Sequence, residues 1–338
     1  MNLEEAKYNK YALVREMMET PGVIKEFSQT ETHRFAGAVA DKKALFLTGE
    51  GSSRIFPAKR MIFDLLRRGS EIRAFTDGSS QALEYKLDDY VVFGASNSGQ
   101  TKEIIRLFDK LKEEGHNERF ALTANKETQL ESISTDAHVL KCGAEDAVAA
   151  TKSVFEQGLF YDALLHSAVN DKMEDLDRLS EQVEQALNLE IKDEITDIIS
   201  NAGIIYFAGR NTGVAEELTL KTNEITRKKS EFLEGTYSLH GIEEVMTSDE
   251  VLVWISPFPQ EIEKFNERLA KGVGLKIIAL AEHETMFPTI IIPPGGKYRE
   301  YIELAAGWNI LVETGIRLNI DLDKPERARK VGNEYTGS

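Results

Sequence analysis

Cysteine is almost absent: Cys142 is the only one in 338 residues. A single thiol excludes an intramolecular disulfide framework and any zinc site built from cysteine clusters. Long apolar runs are also missing. No stretch approaches the roughly 20 apolar residues that span a bilayer. The opening MNLEEAKYNKY lacks the apolar core of a secretory signal. Basic residues are in the minority, 41 Lys plus Arg against 57 Asp plus Glu, for a net charge of −16. Such a chain gains little from counterion release on a phosphate backbone, which argues against a nucleic-acid partner. Neither G-x-x-x-x-G-K-[ST] nor H-E-x-x-H occurs. That removes a P-loop and the usual helical zinc site, and His283-Glu284 has no second histidine at the required spacing. What remains is a chain 41% hydrophobic and 29% charged, an ordinary balance for a globular protein and too apolar for disorder. The expectation is a cytoplasmic protein of two α/β domains, without a membrane partner.

Short apolar runs alternate with amphipathic ones. Residues 1–40 read as helical, with Pro21 as an interruption. ALFLTG (44–49), EIRAF (71–75), YVVFGAS (90–96), RFALTAN (119–125) and AHVLK (137–141) read as strands, with helical IFPAKRMIFDLLRRG and TKEIIRLFDKLKEEG between them. This alternation predicts a parallel sheet covered on both faces. TKSVFEQGLFYDALLHSAV (151–169) is a long helix closing the first unit. Residues 171–200 lack Pro and Gly, and place Leu176, Leu179, Val183 and Leu187 near heptad spacing, which predicts a packed helical connector. The pattern then restarts: GIIYFAGR (203–210) runs into a glycine turn, as ALFLTGEG does. A helix over 213–228, a strand VLVWISP (251–257), a helix over 261–273, strands KIIALA (276–281) and TIIIP (289–293), and a helix over 300–319 follow. The repeated order predicts a tandem duplication of one αβα unit of about 150 residues.

Parallel sheets bind ligands at the carboxyl ends of their strands. Two such ends in the first half are rich in hydroxyls: Gly49-Glu50-Gly51-Ser52-Ser53 and Ser96-Asn97-Ser98-Gly99-Gln100-Thr101, the second directly before a helix. Glycine allows close backbone approach, and the N–H groups at a helix start suit an anion. Helix capping accounts for either loop alone equally well; two on one sheet favour a phosphate cradle. A dinucleotide fingerprint starting at Gly49-x-Gly51 would need its third glycine at 54, where Arg54 stands. In the second half Glu217, Lys221 and Glu224 fall on one helical stripe, and spacing alone reads them as a solvated salt-bridge ladder. His240 lies in a loop beyond the short run SEFLEG, and Lys330 lies in a charged tail that reads as a frayed terminus.

Together these segments, over about residues 35–335, resemble the sugar-isomerase (SIS) domain family, most of all the tandem isomerase units of glucosamine-6-phosphate synthases and deaminases. Gly51-Ser52-Ser53 resembles the family's G-[TS]-S loop and Ser96–Thr101 its S-x-S-G-E-T loop. Val148-Ala149-Ala150-Thr151-Lys152-Ser153 resembles its A-S-T-K-[AS] segment with the preceding valine. Gly209-Arg210 is similar to a G-R-G turn, Lys221-x-x-Glu224-Ile225-Thr226 to a K-x-x-E-[IL]-[ST] helix, His240-Gly241 to H-G-P, and Asp323-Lys324-Pro325 with Lys330 to a D-x-P…K terminus. The sequence departs from the pattern at Asn97 (for Gln), Gln100 (for Glu), Ala150 (for a sugar-holding Ser), Tyr237 (for an acid) and Ile242 (for Pro).

The resemblance implies an α/β chain of two tandem SIS domains, each an αβα sandwich on a five-stranded parallel sheet, flavodoxin-like and doubly wound. Its divisions would be an N-terminal helical segment (1–34), domain 1 with the phosphosugar loops (35–170), a helical connector (171–200), domain 2 (201–320) and a tail covering the active site (321–338). The implied activity is aldose–ketose isomerisation or deamination of an amino-sugar phosphate such as glucosamine 6-phosphate. A deglycase of the same fold and a non-catalytic phosphosugar sensor remain open. Gly51, Ser52, Ser53, Ser96, Asn97, Ser98, Thr101, Val148 and Ala150 would bind substrate. Glu224 would move the proton between C1 and C2, His240 would open the ring, Lys221 would hold Glu224 or a substrate hydroxyl, and Lys330 would cover the sugar and could form an imine with a ketose. No metal or organic cofactor is implied, because the carbonyl itself acidifies the neighbouring C–H. The implied assembly is a homodimer with shared active sites. No glutaminase segment precedes the unit, so glutamine-dependent synthesis is not expected of this chain.

Overall fold

A computed structural model describes residues 1–327. Contacts divide them into two compact units, one of Gly22–Glu145 and Ala150–Asp177, the other of Met1–Pro21, Asp146–Ala149 and the residues from Arg178 onward.

The first unit is built on five parallel strands, β1 (Ala44–Gly49), β2 (Arg73–Asp77), β3 (Val91–Ala95), β4 (Arg119–Thr123) and β5 (Asp136–Val139), in the order β2-β1-β3-β4-β5. Leu45 pairs with Val91 and Ala74 in register. The central strands read as unbroken apolar runs because both faces are covered. Alternate residues part to opposite sides. Leu45, Leu47, Val91 and Phe93 pack under helices His33–Lys42, Ile55–Arg68 and Lys152–Ala168. Phe46, Val92 and Ala121 pack under helix Lys102–Glu113. The first side is dominated by edge-to-face aromatic rings, with Phe35 5.6 Å from Phe93 and 5.7 Å from Phe160.

The second unit repeats the topology with β6 (Ile204–Gly209), β7 (Lys229–Glu234), β8 (Val251–Ile255), β9 (Lys276–Ala281) and β10 (Thr289–Ile291), all parallel in the order β7-β6-β8-β9-β10. The duplication read from sequence therefore holds strand for strand. The fifth strand of this sheet is the run around SEFLEG, which sequence reading leaves unassigned. It is an edge strand with only Leu233 fully buried, so its apolar signal is weak. Trp254 on β8 stacks on Phe265 at 3.7 Å on one face. On the other, helix Val214–Thr226 packs against helix Arg299–Arg317. Gly307 allows that approach, since a Cβ there would lie 2.3 Å from a Leu218 methyl.

Two local expectations need correction. Pro21 does not interrupt the N-terminal helix, which runs unbroken over Ala12–Glu26. Burial of Leu13, Val14, Met17 and Ile24 outweighs the missing N–H bond, and the Pro21 carbonyl accepts from Ser180 Oγ at 2.7 Å. The helix expected over 261–273 continues from Ile262–Phe265 as a π-helix over Asn266–Val273, ending at Gly274 with φ of 81°. In the 171–200 segment, helices Leu176–Leu187 and Asp193–Asn201 form, with Leu179, Val183 and Leu187 fully buried.

One buried group is expected to make the first unit acid-sensitive. His138 on β5 stacks on Phe160 at 4.8 Å, and burial pushes its pKa down to about 4. The unfolded chain protonates this histidine near its ordinary value, about 6.5, before the native state does. Stability is therefore expected to fall as pH drops from about 6.5 toward 4. His138→Phe should flatten that fall in urea titrations across pH; an unchanged slope would place the titrating group elsewhere.

Candidate functional site

The chain leaving β1 enters helix Ile55–Arg68 on one face of the first sheet, and the chain leaving β3 enters helix Lys102–Glu113 on the other. Between these diverging exits lies the switch point of the sheet, where both hydroxyl-rich loops sit. Gly51–Ser53 forms one short 3-10 turn, with Ser52 buried. In the second loop Ser96 Oγ accepts from Gly99 N–H (3.1 Å) and lies 2.9 Å from Thr101 Oγ1. Ser98 Oγ accepts from Gln100 N–H at 3.2 Å. Gly99 is left-handed, with φ of 62°, and a Cβ there would strike Thr128 at 2.3 Å; no other residue fits.

The capping alternative is not realised. Thr101 occupies the N-cap of helix Lys102–Glu113 but makes no side-chain cap bond, and Arg54 likewise makes none before helix Ile55–Arg68. Neither N-cap side chain, Thr101 or Arg54, satisfies an N–H group of its helix. The positive helix end and clustered hydroxyls suit a doubly charged oxyanion.

The segment carrying Val148 and Ala150, both half-buried, is pinned from two sides. Glu16 accepts from Asp146 and Ala147 N–H groups, and Glu145 accepts from Thr151 N–H at 2.7 Å. Sequence reading missed both carboxylates, since neither stands in a recognisable motif. Asn97 also carries more than its place in the loop: its Nδ2 donates to Ser153 Oγ at 2.8 Å, and its Oδ1 accepts from Gln157 at 2.8 Å.

In the second unit the ladder reading is corrected. Lys221 Nζ lies 2.8 Å from Glu224 and 3.5 Å from Glu217, and both Lys221 and Glu217 are fully buried. The stripe faces into the helix pair, not into water. Only Glu224 reaches solvent, with its side chain 23% exposed. A carboxylate held by a buried ammonium and open on one side is positioned to exchange a proton with a ligand. His240 lies exposed in the turn after β7, with Nε2 3.4 Å from Thr236 Oγ1. Tyr237 and Val245, also exposed, flank it. Asp323 accepts from the N–H groups of Ala12 and Leu13, both at 2.8 Å, and so caps the N-terminal helix. Lys330 lies outside the described residues, as does the tail beyond 327.

The second sheet's switch point is filled by its own side chains. Arg210 donates to the Ser256 carbonyl and lies over the Phe258 ring at 4.2 Å. Ser256 Oγ donates to Glu303, whose carboxylate is 3.1 Å from Arg299. Burial, then the Glu300 charge, pushes the Glu303 pKa up to about 7. About 10 Å³ of space remains. Two open cavities of about 670 and 640 Å³ lie elsewhere, and neither includes the hydroxyl loops. Among the described residues no cluster of His, Cys, Asp or Glu is placed to hold a metal, and no helix is long and apolar enough to cross a membrane. Cys142 is buried and its thiol pKa is driven upward by that burial.

Residues 38–167 match the family model of the SIS domain. No curated protein sequence matches the chain. Among solved structures, the C-terminal domain of glucosamine-fructose-6-phosphate aminotransferase from Francisella tularensis superposes with a TM-score of 0.75 at 17% identity, over 94% of this chain and 98% of that one. Tagatose-6-phosphate ketose/aldose isomerase from Escherichia coli gives 0.75 at 16% identity, over 96% and 99%. Glucosamine-6-phosphate deaminase from Thermotoga maritima gives 0.72 at 18% identity, over 96% and 99%. Residues 38–167 therefore carry the SIS-domain match, and with the second sheet repeating the topology of the first the chain as a whole shares the fold of these phosphosugar-isomerase-type structures.

Proposed function

We propose that the protein is a phosphosugar isomerase or deaminase acting on an amino-sugar phosphate such as glucosamine 6-phosphate. The observation that carries a catalytic reading is the buried Glu217–Lys221–Glu224 row, because a non-catalytic sensor has no use for a lysine desolvated to hold one accessible carboxylate. Gly51, Ser52, Ser53, Ser96, Ser98 and Thr101 hold the phosphate. Glu224 takes the proton from one of C1 and C2 and returns it to the other through an enediol-like or enolamine-like intermediate, with Lys221 fixing its position. In deamination the enolamine becomes a C2 imine, water adds to C2, the C–N bond breaks to release ammonia, and the oxygen of that water remains as the carbonyl of a ketose phosphate. His240 passes the proton between ring oxygen and anomeric hydroxyl during ring opening. The roles of Val148 and Ala150 at the sugar and of Lys330 as its cover belong to the same proposal. Ala150 presents a methyl group, which favours one second reading, a deglycase releasing an amine larger than ammonia. Incubation with a phosphosugar panel, scoring ammonia, larger amines and ketose separately, distinguishes these reactions.

Ser96→Ala and Thr101→Val each remove a donor to a charged phosphate, a loss of about 1.5–3 kcal/mol, or one to two decades in affinity. Calorimetric titration with glucosamine 6-phosphate and glucose 6-phosphate is expected to show it; unchanged affinity would move the anion site elsewhere. Glu224→Gln preserves shape and removes the base. Turnover is expected to fall at least ~100-fold with little change in ligand affinity. Near-normal turnover would return Glu224 to a structural ion pair.

We further propose a symmetric homodimer in which the exposed His240 turn serves the partner's substrate, burying more than the ~1,600 Å² of a standard interface. At a substrate concentration too low for either variant alone to turn over, mixing Ser96→Ala with His240→Ala under subunit exchange is expected to restore part of the activity, since some mixed dimers then carry one undamaged site. A monomer by light scattering, or no recovery despite proven exchange, would defeat the shared site.

A further inference from the structure

Helix Lys152–Ala168 presents Ser153 and Gln157 one turn apart, both without solvent exposure, toward Asn97 in the second hydroxyl loop. Three bonds run in series. Gln157 Nε2 donates to Asn97 Oδ1 at 2.8 Å, Asn97 Nδ2 donates to Ser153 Oγ at 2.8 Å, and Ser153 Oγ donates to Glu145 at 2.6 Å. Glu145 also accepts from Thr151 N–H and Thr151 Oγ1. The Glu145 carboxylate accepts from every donor around it, and that sets the direction of the whole chain. Ser153 must give its proton to Glu145. Asn97 must then turn its amide nitrogen to Ser153 and its oxygen to Gln157. Gln157 must donate.

The far end of this chain is not arranged for stability. Gln157 Oε1 is buried and has no hydrogen-bond partner among the described residues. An unsatisfied buried acceptor is a cost that an apolar side chain of similar volume would avoid. What the glutamine supplies is one donor to Asn97. The main chain of Asn97 is held as well, its carbonyl accepting from Ala124 N–H (3.1 Å) and Asn125 Nδ2 (2.8 Å). Both ends of Asn97 are thus fixed, and with them the flanking hydroxyls of Ser96 and Ser98.

We infer that Gln157 is a positioning residue for phosphosugar binding, holding Asn97 in a one-way hydrogen-bond chain that Glu145 polarises. The inference rests on the phosphosugar reading proposed above. Gln157 touches no substrate; it acts by keeping the loop 96–101 in its binding geometry before the ligand arrives, so its loss appears in affinity and not in the chemical step.

The test compares the full-length wild-type chain with Gln157→Leu and Gln157→Glu, titrated with glucosamine 6-phosphate and glucose 6-phosphate between pH 6 and 8, each variant expressed as a ratio to wild type at the same pH. Gln157→Leu is expected to weaken binding about tenfold at every pH, with kcat changed less than about twofold. Gln157→Glu keeps the shape but sets an ionised acceptor against Asn97 Oδ1. It is expected to bind at least about tenfold more weakly at pH 8 and to recover toward wild type as pH falls, because a protonated carboxyl donates where the glutamine did. A packing role would spare this near-isosteric variant and give it no pH-dependent ratio. Gln157→Glu also keeps the test intact where Gln157→Leu fails to fold. Wild-type affinity in Gln157→Glu at every pH, or equal and pH-independent weakening in both variants, would overturn the inference alone. A wild-type chain that binds neither phosphosugar would overturn the phosphosugar reading and this inference with it.

Discussion

The order of a parallel sheet decides where this protein leaves an opening at its strand ends. With β1 and β3 adjacent at the centre, the chain leaving β1 must cover one face and the chain leaving β3 the other. Nothing in the sheet itself fills the opening between the two exits. The loops there take no part in the apolar core, and their composition is free to serve a ligand. Gly99 is the tightest point of that arrangement: its left-handed turn sends the chain from β3 back over Thr128 and leaves the hydroxyls of Ser96 and Thr101 beside the helix start.

The repeated topology gives two such openings, and the sequence treats them differently. In the first unit the loops carry small hydroxyl and glycine residues, and the N-cap side chains of the two helices make no cap bond. In the second, Arg210 reaches across to Ser256 while Glu303 and Arg299 fill the space beneath. A carboxylate already sits beside the arginine and the hydroxyl, where an anionic ligand would otherwise be drawn. In the second unit the accessible carboxylate stands on a helix instead. Its close crossing with helix Arg299–Arg317 at Gly307 buries Lys221 and Glu217 and leaves Glu224 as the outward end of the row.

Burying an ammonium between two carboxylates is costly unless the geometry is good, and such groups contribute less to stability than to fixing one arrangement. The same economy recurs in the first unit, where Glu145 orders a chain of neutral groups back to Gln157. In both places a charge held by surrounding donors sets the direction in which a neighbouring polar group must point.

The sequence by itself determined the repeat, nine of the ten strands and the two hydroxyl loops, because each rests on short-range signals: apolar runs of strand length, helical periodicity and glycine at turns. It did not reveal β7, whose edge position leaves too little apolar surface to mark it. It read Pro21 as a break because propensity is local, whereas the burial that carries the helix through is not. Spacing placed Glu217, Lys221 and Glu224 on one stripe but could not say which way the stripe faces. Only the helix crossing decided that, since burial depends on what packs opposite. Glu145, Ser153, Gln157 and Asn97 span sixty residues of chain and share no periodicity; strand order and the placement of helix Lys152–Ala168 bring them together, and pattern along a chain cannot encode a meeting across it.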